Sequence, residues 1–69
     1  MKFFRVYKAL FEIQRLRNRA NMIAAILEAE KESPEPRKLY IEKLTRTLNT
    51  IEILISDFES LAEYETKST

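Results

Sequence analysis

The sequence predicts an all-α fold, an antiparallel hairpin of two long helices within one domain. Two segments show the apolar spacing of an amphipathic helix, two prolines lie between them, and the 69 residues include no glycine. Tight β-turns and phosphate-binding loops depend on glycine because it reaches positive φ without steric cost, so β-rich and nucleotide-binding folds are disfavoured. We expect a single domain over 1–69, with helix 1 at about 2–31, a turn at 32–36, helix 2 at about 37–64 and a frayed tail at 65–69.

Helix 1 is predicted from apolar residues that recur every three or four positions, the spacing that places side chains on one helix face. This packing seam consists of Val6, Leu10, Ile13, Leu16, Ala20, Ile23 and Leu27. A second apolar set lies beyond the seam and comprises Phe3, Phe4, Tyr7, Phe11 and Met22. Because one neighbouring helix cannot cover both sets, the sequence predicts a second contact surface on helix 1.

The two prolines end helix 1 and set the position of the turn. Pro34 and Pro36 lack backbone N–H donors and disfavour helical conformation in the residues before them, Ser33 and Glu35. Helices joined by so short a connection pack as antiparallel neighbours. The stretch therefore predicts that helix 2 folds back along helix 1.

Helix 2 has the clearer amphipathic pattern of the two. Its packing seam consists of Ile41, Leu44, Leu48, Ile51, Ile55, Phe58 and Ala62, and Tyr40, Leu54 and Leu61 widen the apolar stripe. Most of the remaining positions are charged or polar, which predicts a solvent-facing opposite side. Ile53 is the exception, because its position points away from the seam.

The distribution of charge independently supports an antiparallel hairpin. Residues 1–19 carry six basic side chains and one acidic one, whereas residues 51–69 carry five acidic side chains and one basic one. The middle of the chain shows the same contrast, with four acids and one base in 20–36 and four bases and one acid in 37–50. An antiparallel arrangement places each basic block beside an acidic block. Exposed ion pairs contribute only about 0–1 kcal/mol each, so the pattern selects orientation more than it adds stability.

A chain of this size needs help to bury its apolar surface. Small domains are commonly stabilised by disulfides, metal ions or oligomerisation. Cysteine and histidine are both absent from the sequence, which excludes disulfides and zinc sites built from these residues. We therefore expect a homo-oligomer, such as a homodimer in which two hairpins form a four-helix bundle, or a hairpin that packs like a coiled coil on the helices of an obligate protein partner.

The residue types argue against an enzyme. With no histidine, cysteine or glycine-rich loop, the chain offers no nucleophile beside a recognisable base. The carboxylate pairs Glu28/Glu32 and Glu59/Glu63 lack the Glu-x-x-His motif of di-iron bundles, so we interpret them as solvated acids on the helix surface. No catalytic residue, cofactor or metal site is expected.

Function is expected to depend on a protein partner that contacts the aromatic cluster, formed by Phe3, Phe4, Tyr7 and Phe11. Aromatic side chains anchor many protein interfaces, and a hairpin has too little surface of its own to cover these four. A protein of this kind would act as a small regulator, an adaptor, an inhibitor or an assembly subunit.

Two alternative functions follow from other features of helix 1. A nucleic-acid-binding bundle would use the basic side chains Lys8, Arg15, Arg17 and Arg19, because lysine and arginine neutralise phosphates. A peripheral membrane helix would insert the aromatic cluster into the lipid interface beside flanking cations. Both rank below a protein partner, since the whole chain carries a net charge of only +1 and the apolar seam continues well beyond the aromatics.

The cytoplasm of a cell, or of a host cell if the protein is viral, is the expected location. No stretch approaches the roughly 20 apolar residues that span a bilayer. Charged residues also interrupt the N-terminal apolar segment, at Arg5, Lys8, Glu12 and Arg15, which is unlike a secretion signal. No segment carries a motif specific enough to assign a family.

Overall fold

The protein is a hairpin of two helices. The computed structural model describes the backbone of residues 2–67 and the side chains of residues 5–67. Helix α1 spans Lys2–Lys31 and helix α2 spans Lys38–Lys67, and the described residues contain no strand. The two helices pack against each other in a molecule of 54 × 14 × 12 Å, which confirms the predicted all-α hairpin.

The helix boundaries follow the sequence pattern except at the two ends of α2. This helix begins one residue later than expected and continues to Lys67, three residues beyond the expected end at about 64. The Lys67 ammonium lies 2.8 Å from the Glu63 carboxylate, and Glu65 forms an ion pair with Arg5 across the hairpin at 3.5 Å. These contacts hold the last turn of α2 in place. Residues 68–69 of the predicted tail lie outside the described residues.

Contacts between Glu30 and Arg37 fix the turn. The backbone N–H of Ser33 donates to the carbonyl of Glu30 at 3.2 Å, a tightened last turn that ends α1. Arg37 Nε and Nη2 donate to the two Glu30 carboxylate oxygens at 2.7 and 3.3 Å, and the Arg37 backbone N–H donates to Oε1 at 3.2 Å. The Arg37 guanidinium also lies 4.4 Å from the centre of the Tyr40 ring. Glu30 therefore joins the end of one helix to the start of the next.

This contact predicts a pH-dependent contribution to stability. The side-chain hydrogen bond from Arg37 holds the pKa of Glu30 below its ordinary value, against a smaller opposing effect of burial. A carboxylate with a lowered pKa contributes stability that is fully present above its unfolded-state pKa, about 4.3, and is lost as the pH falls through the folded-state pKa. We expect Glu30→Gln to lower the thermal midpoint at pH 7, and the difference from wild type to close as the pH falls below about 4.

The matched control for this measurement is Glu35→Gln, an exposed glutamate in the same turn. We expect it to change the thermal midpoint little at either pH, because no other described residue holds its carboxylate. Equal effects of the two variants, or a Glu30→Gln difference that is the same at both pH values, would contradict this role of Glu30.

The core of the hairpin is thin. Its buried apolar residues are Ala9, Ile13, Ile23, Leu27, Ile51 and Ala62, and the half-buried seam residues include Leu16, Ile41, Leu44, Leu48, Ile55 and Phe58. Among the described side chains none is completely enclosed. Two helices can cover only the strip along their line of contact, so the rest of each wide apolar face stays in solvent.

Helix α1 is rotated relative to the seam that the sequence predicted. Leu10, assigned to the seam, is half exposed, whereas its neighbour Ala9 is buried, so the assignment of Leu10 is wrong. Ala62 is also buried. Ala9 lies four residues from Arg5 toward the turn and Ala62 lies three residues from Glu65 toward the turn, so the Arg5–Glu65 ion pair places the two alanines at about the same level of the antiparallel hairpin. Small side chains at one level let two helices approach closely. Leu10, 100° further round α1, is then directed away from α2.

Candidate protein-interaction surfaces

An apolar patch lies near the N-terminal end of α1, on the side away from α2. It consists of Tyr7, Leu10 and Phe11, whose exposed fractions are 72%, 50% and 67%. The spacings of three and four residues place these side chains next to one another on one helix face. Together with Lys8 they line one shallow depression. We call these three residues the aromatic patch.

The aromatic patch contains two of the four residues that the sequence assigned to a partner interface. The side chains of the other two, Phe3 and Phe4, lie outside the described residues. The hairpin itself covers neither Tyr7 nor Phe11, so α2 is not the surface that these rings contact. Leu10 joins them because of the rotation of α1, and the sequence pattern had placed it elsewhere.

Ion pairs across the hairpin neutralise two of the basic residues of α1. Arg5 contacts Glu65 at 3.5 Å and Arg17 Nη2 donates to Glu59 Oε2 at 2.8 Å, both across the hairpin. These pairs bring the basic start of α1 beside the acidic end of α2, as the charge pattern predicted. Lys8, beside the patch, forms no ion pair with any described residue.

A second surface is a groove between the two helices near mid-length. Arg15 and Arg19 of α1 and Arg46 of α2 stand at its edges, and it has a volume of about 740 Å³. Its remaining lining residues are Leu16, Asn18, Met22, Thr47, Thr50, Ile51 and Leu54. Arg15 has one ion pair, with Glu12 at 3.7 Å. Among the described side chains neither Arg19 nor Arg46 has an acidic partner. We call this surface the arginine groove.

The structure divides the basic residues that the sequence had grouped. Arg15 and Arg19 line the arginine groove, and Lys8 lines two neighbouring depressions closer to the N-terminus. Arg17 is on the other flank of α1, where Glu59 neutralises it, so the four do not form one continuous surface. Arg46 comes from the other helix and was missed, because its proximity to Arg19 follows from the register of the hairpin.

The described residues show neither a metal site nor a membrane span. No group of three or more acidic side chains in this part of the chain is arranged to hold a metal ion. Within the same residues, neither helix is long and apolar enough to cross a bilayer. In the predicted acid pairs, Glu59 contacts Arg17 and Glu63 contacts Lys67.

No protein-family model, curated protein or solved structure matches the chain. The exposed aromatic patch and the arginine groove are the two features from which a function can be inferred.

Proposed function

We propose that this protein is a small, non-enzymatic protein–protein interaction module of the cytoplasm. It would act as a regulator, adaptor, inhibitor or assembly subunit, by self-association or by packing on the helices of a larger partner. The observation that carries this proposal is the aromatic patch, in which three adjacent large apolar side chains are half or more exposed. Contiguous exposed apolar surface of this kind marks interaction sites in otherwise polar proteins.

The thin core supports the same proposal. Large apolar side chains remain exposed well beyond the aromatic patch, at Met22, Ile26, Leu39, Ile53, Leu54, Leu61 and Tyr64. A second helical surface would remove part of this area from water, and burial of apolar area is the main favourable contribution to association. A hairpin this small gains more from such a contact than a larger domain would, because less of its surface is buried on folding.

A second copy of the chain is the partner that we favour for the aromatic patch. Two patches facing each other would stack rings on rings and give a four-helix arrangement. The basic residues of the first half of α1 oppose such pairing less than their number indicates, since Arg5 and Arg17 already form ion pairs with Glu65 and Glu59. Lys8 stands at the rim of the patch, where solvent screens its charge.

Nucleic-acid binding is the second candidate function. The observation in its favour is the arginine groove, which brings Arg15, Arg19 and Arg46 to one surface. Against it, Arg17 is neutralised by Glu59 and the chain as a whole is close to neutral. A protein partner therefore ranks first.

Sedimentation equilibrium of the wild-type chain tests the proposal. At micromolar concentration and without any other protein, we expect a helical species with at least twice the 8.2 kDa mass of the chain. A poorly folded monomer would point to an obligate partner of another sequence, and so to the hetero-association form of the same proposal. A folded, stable monomer that keeps its rings in solvent would contradict self-association.

A further inference from the structure

The arginine groove combines an apolar floor with basic edges on both sides. Leu16 and Ile51 form the bottom of the groove, and the more exposed Met22 and Leu54 stand higher on its walls. The positive edge on α1 carries two arginines and the edge on α2 carries one. No acidic residue is among the groove's lining residues.

The spacing of these arginines is costly for the hairpin by itself. Arg15 and Arg19 are four residues apart on α1, and like charges at this spacing destabilise a helix. Arg46 adds a third positive charge from the facing helix. The Glu12 carboxylate, 3.7 Å from Arg15, relieves only one end of this cluster. Negatively charged groups of a partner would therefore reduce the repulsion among these three arginines.

The groove belongs to a flank long enough for a docked helix. Along α2, Thr47, Leu54 and Leu61 follow one another at seven-residue intervals, the repeat that keeps side chains on one side of packed helices. Leu61 lines the next depression toward the open end of the hairpin, and the other residues that line it are Arg5, Lys8, Ala9, Glu12, Phe58 and Glu65. The distance from Thr47 to Leu61 along the helix is about 20 Å, or roughly four helical turns.

We propose that the arginine groove binds an acidic amphipathic helix of a partner protein. The apolar stripe of that helix would cover Met22 and Leu54, and carboxylates on both edges of the stripe would face Arg15 and Arg19 on one side and Arg46 on the other. The inference rests on the proposed interaction function and adds the chemistry of one partner. It concerns a different surface from the aromatic patch.

Two other occupants fit the groove less well. A second copy related by a two-fold axis would bring the same arginines of both chains together near mid-length, where like charges repel. A nucleic acid would pair with the arginines, but its phosphates gain nothing from the exposed Met22 and Leu54. The groove also has no aromatic ring among its lining residues on which a base could stack.

Two designed peptides provide the test. Both contain three heptads with leucine at the a and d positions, and they carry either glutamate or lysine at the e and g positions that flank the stripe. Like charges keep either peptide from pairing with itself. Binding of each labelled peptide to the full wild-type chain is measured by fluorescence anisotropy. We expect the glutamate peptide to bind at least about tenfold more tightly than the lysine peptide.

Charge reversal assigns the binding to the groove. Arg46→Glu should abolish the preference for the glutamate peptide, and Arg19→Glu/Arg46→Glu should reverse it in favour of the lysine peptide, a gain that misfolding cannot produce. Lys38→Glu is the matched control, an equal change of charge at an exposed position of α2 outside the groove. It should leave the preference unchanged.

The other outcomes overturn the inference. Equal binding of the two peptides, or equal effects of Arg46→Glu and Lys38→Glu, would show that the groove does not select an acidic helix. Tighter binding of a 20-nucleotide single-stranded RNA than of the glutamate peptide, lost in Arg46→Glu, would make the groove a nucleic-acid site. A wild-type chain that self-associates without discriminating the peptides would refute this inference alone. A chain that stays a folded monomer and binds neither peptide would refute this inference and also the self-association form of the proposed function.

Discussion

Replacing Ile51 with alanine is expected to lower the free energy of unfolding by about 2–5 kcal/mol, as large-to-small changes in a core do. Ile51 is 5% exposed and lies in the middle of the α2 seam. The substitution removes buried apolar atoms and leaves a cavity between the helices, and the neighbouring side chains can fill that cavity only in part. Urea melts followed by circular dichroism, at one fixed protein concentration, measure the loss.

Ile53→Ala is the matched control, because it makes the same chemical change two residues away in the same helix. Ile53 is 62% exposed, and we expect its replacement to cost less than about 0.5 kcal/mol. Asn49→Ala, at another exposed position of α2, should be equally mild. Similar losses at Ile51 and Ile53 would mean that α2 presents a different face to α1.

Serine at both Tyr7 and Phe11 is expected to weaken self-association by at least tenfold and leave the hairpin helical. Aromatic anchors buried at an interface often contribute 2 kcal/mol or more each, and about 1.4 kcal/mol corresponds to a tenfold change in affinity. The hairpin should survive because neither ring is buried within it. Sedimentation equilibrium reports the association, and far-ultraviolet circular dichroism reports the helix content.

The control for this experiment is Ile53→Ser combined with Tyr64→Ser, which removes an equally exposed tyrosine and a second large apolar side chain from α2. We expect this variant to associate like the wild type. If the Tyr7/Phe11 variant unfolds as a monomer, the rings belong to the core. If the control variant loses association to the same extent, the aromatic patch is not the specific interface.

The fold could be predicted from local patterns because each pattern depends on few residues. The apolar residues of α2 recur every three or four positions, which indicates a helix, and Pro34 and Pro36 indicate a break between helices. The alternating basic and acidic segments agree with the antiparallel pairing that these two patterns predict. The full extent of α2 was missed because Glu65 is held by Arg5, sixty residues away, and no local pattern reports that contact.

The rotation of α1 could not be predicted, because its apolar residues cover too much of its circumference. Both Ala9 and Leu10 lie within the apolar arc, and hydrophobicity favours the leucine. The structure buries the smaller residue, at the level of Ala62. The arginine groove was missed for a related reason, since Arg15, Arg19 and Arg46 meet only when the register of both helices is known.

The most direct test of whether association stabilises this hairpin is to measure its thermal unfolding midpoint at different protein concentrations. A folded state that includes two or more chains is favoured by mass action, so its unfolding midpoint rises with concentration. We expect the midpoint of the wild-type chain to rise steadily over a hundredfold range around micromolar concentration, and that of the Tyr7→Ser/Phe11→Ser variant to stay constant. A wild-type midpoint that is high and independent of concentration would show that the hairpin is stable alone, and would contradict self-association through the aromatic patch.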